Sequence, residues 1–261
     1  MDAPDWPIVI GGSHRSGTTL LRRLLDGHPR IFCPPEIKFH KDLLGQFPDD
    51  PLAHGRLGSS LGALGLPTEI WLDEFGRALC RCYDIATRNA GKQRWADKNP
   101  ENALNVAHWN RLLSGQMAFV LVVRHPLDVI ASMAEIGMNK VIPVDIVGRA
   151  FHTRDYIATG LAFAETYPEQ STIVRYERLV EEPRAALSEL MCFLGENYDE
   201  AMIGNLHKDS HGKGLEDPKA LQHAGISSES IGRWRRDLSD AQVRLVKPLL
   251  DPIFERLGYE T

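Results

Sequence analysis

The sequence predicts an α/β domain, a central parallel sheet flanked by helices, on three observations. Short β-rich runs alternate with longer helical stretches along the chain, as they do where helical crossovers join the strands of one sheet. The run AFVLVV at residues 118–123 is apolar at every position, which suits a central strand covered on both faces. Near the start, an apolar strand passes through a glycine-bounded loop into an amphipathic stretch.

In chain order, strands are expected over residues 7–11 (PIVIG), 93–96 as a weaker run, 118–123 and 171–175 (STIVR). Helices are expected between and after them, over residues 18–26, 68–89, 102–113, 127–135, 144–167, 183–194 and 239–257. Pro126 suits a position just before a first helical turn. Residues 47–67 and 207–230 are rich in Gly, Pro, Ser and His, and read as long surface loops of the kind that form lids or binding elements. No repeat or linker interrupts the pattern, so a single domain over residues 1–261 is expected.

Composition narrows the function. With 30 basic and 35 acidic residues the net charge is −5, so the broad basic field that nucleic acid requires is missing and no nucleic-acid partner is expected. An anion must instead be met by a local site. Cys33, Cys80, Cys82 and Cys192 are too scattered for a disulfide framework or a zinc site, and read as thiols of a reducing compartment. The acidic start does not resemble a signal peptide, and no apolar run reaches transmembrane length, so a cytoplasmic location is expected.

The strongest local signal is Gly12-Ser13-His14-Arg15-Ser16-Gly17-Thr18-Thr19, set between the first strand and the first helix. Glycines five apart let the backbone curl so that successive N–H groups face one anion. The start of the helix adds a favourable dipole, and Thr18 and Thr19 add hydroxyl donors. The alternative is a glycine-rich turn in which Thr merely caps the helix. The ATPase version, GxxxxGK[ST], would have lysine where Thr18 stands. Here the cation is Arg15, inside the loop. A magnesium-dependent enzyme would also need an acidic residue at a buried strand end. Residues 118–123 lead instead to Arg124, and STIVR ends in Arg175; only Asp97 could substitute. Arginine at strand ends fits a phosphate bound without metal.

A second anion site is suggested at Arg124-His125-Pro126-Leu127-Asp128, with Ser132 on the helix that follows. It lies where a strand gives way to a helix, the end of an open sheet at which ligands bind.

Together, SHRSGTTLL and VVRHPLDVIASM resemble the 5′-phosphosulfate loop and the 3′-phosphate site of sulfotransferases that use 3′-phosphoadenosine 5′-phosphosulfate (PAPS). WADKNPEN, VRYERLVEEPRAAL and SIGRWRRDLS resemble further segments of the same family, in the same order, and extend the likeness over nearly the whole chain. The nearest branch is the bacterial P-loop sulfotransferases akin to tyrosylprotein sulfotransferases. The resemblance implies a P-loop-containing sulfotransferase-like fold. It also implies transfer of a sulfuryl group from PAPS to a hydroxyl, less readily an amine, of a small molecule, glycan or peptide. The product would be 3′-phosphoadenosine 5′-phosphate (PAP), with no metal.

Carried over residue by residue, the resemblance gives the 5′-phosphosulfate to Arg15, Ser16, Gly17, Thr18 and Thr19, and the 3′-phosphate to Arg124 and Ser132. Tyr176 falls near the adenine. Gly232 and Arg233 belong to a late loop over the nucleotide, while Arg235 and Arg236 read as a solvated basic face. Arg15 and Lys98 would neutralise charge in the in-line transfer. Glu36 is expected as the general base, ahead of His40 and His14, with Lys38 as an acceptor-side contact. Two other classes remain open at this point: a P-loop kinase of small molecules, and a non-catalytic nucleotide-binding module.

Overall fold

The computed structural model describes residues 5–38, 58–135, 141–206 and 225–260. Five parallel strands form one sheet: β1 (Ile8–Gly12), β2 (Ile31–Phe32), β3 (Arg94–Lys98), β4 (Ala118–Val123) and β5 (Ser171–Arg175). Their spatial order is β2-β3-β1-β4-β5. β1 therefore lies at the centre, with β3 on one side, where Ile10 registers with Lys98, and β4 on the other, where Gly12 registers with Val122. This register sets the carboxyl ends of three strands side by side, and the site is built there.

The helices are α1 (Thr18–Asp26), α2 (Thr68–Asn89), α3 (Val106–Leu112), α4 (Pro126–Ala134), α5 (Ile146–Thr166), α6 (Tyr176–Glu181), α7 (Pro183–Leu194), α8 (Ala201–Gly204), α9 (Trp234–Asp237) and α10 (Asp240–Leu257). Local chemistry explains their ends. Ser239 and Gln242 form a reciprocal capping box at the start of α10, and Gly258 ends it in the left-handed region at φ 64°. Pro183 opens α7 and Gly195 closes it at φ 71°. Asp145 caps α5 by accepting a hydrogen bond from the Gly148 amide at 2.7 Å.

Alternate residues of the central strands feed two cores. Ile8, Ile10, Val120 and Val122 pack with Leu21, Leu24 and Leu25 of α1 and Leu187, Leu190 and Met191 of α7. Val9, Phe119, Leu121 and Val123 pack on the other face with Trp109 of α3, Tyr156, Ile157 and Leu161 of α5, and Ile253 of α10. All six residues of β4 are buried, in line with its unbroken apolar run. Burying each such side chain contributes roughly 1.5–3 kcal/mol.

The expected helix over residues 102–113 is corrected. Its first part is a separate 3₁₀ turn, Pro100–Ala103, and α-helical hydrogen bonding starts only at Val106. The weak strand over 93–96 extends to Lys98. β2 has two residues and α6 starts directly after β5, too short for sequence periodicity to reveal. Of the two expected loops, residues 58–63 are helical, whereas 47–57 and 207–224 lie outside the described residues.

Candidate active site

Residues 12–17 join β1 to α1, and close contacts explain their two glycines. A Cβ on Gly12 would lie 2.4 Å from the Val122 carbonyl oxygen. One on Gly17, whose φ is 98°, would lie 2.4 Å from Tyr176 Cδ2. Between them Arg15 adopts φ 70°, a left-handed conformation that costs a non-glycine residue about 1–2 kcal/mol. Strain of this kind persists where the surroundings enforce it. The Ser16 amide donates to the Ser13 carbonyl at 3.1 Å, while the buried Ser16 hydroxyl has no hydrogen-bond partner. A buried hydroxyl left open in a glycine-bounded loop at a helix start is chemically suited to an anion.

Arg124 follows β4 and is buried. Its Nη1 donates to the Arg15 carbonyl at 3.2 Å and its Nη2 to the Ser230 carbonyl. Its guanidinium lies 4.6 Å from the centre of the Tyr176 ring, and its Nε is without a partner. Arg15 in turn donates from Nε to Ser132 Oγ at 3.1 Å. The two arginines singled out in separate motifs thus meet at one place.

Asp128, in the first turn of α4, draws in the late segment. It accepts the Gly232 amide at 2.8 Å and the Trp234 amide at 2.9 Å. Gly232 has φ 69°, and Tyr176 Oη meets Ser230 Oγ at 3.3 Å. Arg233 is engaged elsewhere: its guanidinium pairs with Glu135 and with Asp237. Arg235 covers the Trp234 ring and Arg236 is solvent-exposed.

On the other flank of β1, Lys98 ends β3 with a fully buried side chain. Its Nζ reaches Glu36 Oε1 at 2.7 Å and Thr19 Oγ1 at 3.2 Å. Lys38 holds the second oxygen of Glu36 at 2.9 Å and Glu101 Oε2 at 3.2 Å. His14 continues the cluster, 4.0 Å from Glu101 and, through Nδ1, 3.1 Å from His152 Nε2. Tyr156 stacks on His152 at 4.3 Å.

Charge states follow from these contacts. Burial works to raise the Glu36 pKa, but the Lys98 and Lys38 ammoniums outweigh it and hold the carboxyl below its ordinary value. Burial also works against the Glu101 carboxylate, yet His14, Lys38 and a backbone hydrogen bond bring its pKa to about 2. Burial lowers His14, and burial with His14 as neighbour lowers His152 to about 4. The histidine pair is therefore neutral at pH 7.

The other strand-end candidates are engaged by neighbouring protein groups. Asp97 accepts from the Tyr83 hydroxyl, from Asn99 Nδ2 at 2.8 Å and from Asn102 Nδ2 at 2.7 Å, so its carboxylate is spent on the core. The expectation that Arg175 fits a phosphate is corrected: it donates to the Leu257 carbonyl and covers the Tyr259 ring. His40 lies outside the described residues. Glu101, His152 and Asp128 were not singled out as site residues from the sequence. Glu101 sits inside WADKNPEN, its one available signal, and His152 joins only through α5. Two cavities of 360 and 250 Å³, lined by His28, Arg30 and Tyr198 and by Arg22, Lys92 and Asn205 respectively, lie at the far end of α1 from the loop. Among the described residues, no helix is long and apolar enough to cross a membrane.

Comparison with known proteins converges on one family. A family model described as "Sulfotransferase family" matches residues 7–200. A putative protein-tyrosine sulfotransferase of Caenorhabditis briggsae is 25% identical over 97% of this chain and 89% of its own length. The sulfotransferase domain of the Synechococcus PCC 7002 olefin synthase superposes with a TM-score of 0.69 at 26% identity, covering 98% of this chain and 95% of that one. The mouse sulfotransferase SULT7A1, solved with PAP, shares the fold with a TM-score of 0.55 at 14% identity, over 98% of this chain and 86% of its own. The chain belongs to the sulfotransferase family, and its activity is the transfer of a sulfuryl group.

Proposed function

We propose that this enzyme takes its sulfuryl group from PAPS and delivers it to a hydroxyl, less readily an amine, of a small molecule, glycan or peptide. Residues 12–17 with Thr18 and Thr19 cradle the 5′-phosphosulfate through backbone amides and hydroxyls. The open Ser16 hydroxyl supports this part of the reading. Arg124 and Ser132 take the 3′-phosphate, and the unpartnered Nε of Arg124 is the donor left for it. Tyr176, Gly232 and Arg233 border the adenosine side; for Arg233 this requires leaving Glu135 or Asp237.

The observation that carries the chemistry is that buried Lys98 spans Thr19 of the loop and Glu36. One ammonium thereby joins the anion site to a carboxylate within hydrogen-bond reach of an incoming hydroxyl. Arg15 and Lys98 neutralise charge that shifts onto the leaving phosphate as the S–O bond breaks. Glu36 accepts the hydroxyl proton as the acceptor oxygen bonds to sulfur. Asp97, the strand-end carboxylate that could hold magnesium, is taken by Asn99 and Asn102, which speaks against the kinase reading.

The whole chain is read as one catalytic domain, with Ile253 and Leu257 of α10 packed into the core shared by β4 and α5. Four free thiols favour a reducing, cytoplasmic setting. A thermal-shift comparison of PAP, ADP and ATP in EDTA tests the donor reading, followed by mass-spectrometric screening of acceptors for a sulfate adduct. Stabilisation by PAP alone is expected; equal or stronger stabilisation by ATP would overturn it.

A further inference from the structure

Glu36 is an odd base as it stands. Lys98 occupies one carboxylate oxygen and Lys38 the other, and a carboxylate held by two ammoniums takes up a proton poorly. Among the described residues, the groups facing it are Lys98 from β3, Lys38 from its own segment, the Thr19 hydroxyl behind Lys98 and, at longer range, His14 and Glu101.

The two ammoniums differ in what holds them. Lys98 is bound to Glu36 and to a neutral hydroxyl at the mouth of the phosphate loop. A polyanion arriving there competes for it with more charge than one carboxylate offers. Lys38 is bound to two carboxylates. Drawing it away would also break its ion pair with Glu101, which stays ionised throughout the neutral range.

We propose that Lys98 is exchanged between Glu36 and the donor: the phosphosulfate draws its ammonium off Glu36 Oε1, while Lys38, tethered by Glu101, stays on Oε2 and keeps the released carboxylate aimed at the acceptor. Lys38 and Glu101 are then positioning residues, and the base becomes competent only when the donor is in place. This inference rests on the donor and base assignments above.

The test needs no acceptor. Losing a cation and gaining a nearby anion both raise the proton affinity of Glu36, so PAP binding takes up protons. Calorimetric titration with PAP in EDTA, in buffers of different ionisation enthalpy between about pH 4.5 and 6, counts them. The parent enzyme should take up at least about 0.3 proton more per PAP than Glu36→Gln. In Lys38→Met the freed carboxylate has lost both lysines that held it, so the uptake should extend to higher pH. That shift reads the charge that Lys38 keeps on Glu36 while the donor is bound, and it keeps the test decisive if Glu36→Gln does not fold. PAP binding with equal proton counts in parent and Glu36→Gln, or with an unshifted window in Lys38→Met, overturns the exchange alone. Absence of any PAP heat overturns the donor reading, and the exchange with it.

Discussion

Arg124 donates from Nη1 to the backbone carbonyl of Arg15 across 3.2 Å. The residue assigned to the 3′-phosphate thereby holds the strained residue of the 5′ loop, whose φ is 70°, and Arg15 answers through Ser132. The two ends of the proposed nucleotide site form one hydrogen-bonded unit. Losing Arg124 should therefore be felt at both ends.

Arg124→Ala should weaken PAP by about 1.5–3 kcal/mol for the lost charged hydrogen bonds, roughly tenfold to a hundredfold in Kd. It should weaken the 3′-dephospho nucleotide less, through the loosened loop. Calorimetric affinities of both nucleotides check this. An unchanged preference for the 3′-phosphate would remove Arg124 from that site.

Gly17 allows no side chain. Its φ of 98° and the 2.4 Å approach of a Cβ to the Tyr176 ring act together. Gly17→Ala should cost about 1–3 kcal/mol of stability through strain and overpacking, read from denaturant midpoints at constant m. The shifted Tyr176 ring would also move against Arg124, so PAP stabilisation should shrink in the same variant.

Much of this arrangement was legible in the sequence. The apolar run of β4 and the glycine spacing of the loop are local signals; the first marked a central strand and the second the turn between β1 and α1. Arg124 was read from its place after the β4 run, whereas Lys98 and Glu36 came from resemblance, because nothing local tells that Lys98 is buried; its burial depends on β3 pairing with β1. Arg175 misled for the same reason: it ends a strand as Arg124 follows one, but Tyr259 and the end of α10 claim it. Glu101 and His152 are 51 residues apart in sequence, and they meet around His14 only through tertiary packing.

Glu101 should make stability depend on acid. Its folded pKa of about 2 lies below the value near 4.5 expected when unfolded. The depressed pKa contributes stability that is fully present above about pH 4.5 and lost as the pH falls through about 2. Against Glu101→Gln, the parent should be the more stable at neutral pH, where Lys38 and the backbone hydrogen bond favour the ionised carboxylate, with the gap closing towards pH 2. Denaturation of both proteins across that range measures it; a gap independent of pH would show that the carboxylate charge is not what stabilises the fold.

The base assignment separates Glu36 from His14. His14 Nδ1 already meets His152 at 3.1 Å, and burial keeps both rings neutral at pH 7. Glu36 has both oxygens on lysines and lies beside the loop through Lys98. Removing a general base typically lowers turnover about 10²–10⁴-fold. Glu36→Gln should show that loss in kcat with whichever acceptor the screen identifies, while thermal stabilisation by PAP persists because the phosphate contacts remain. His14→Gln should lose less than the roughly 10²-fold that marks removal of a base. The reverse order, with His14→Gln the slower variant, would move the proton to the histidine pair and leave Glu36 as a counter-ion to Lys98.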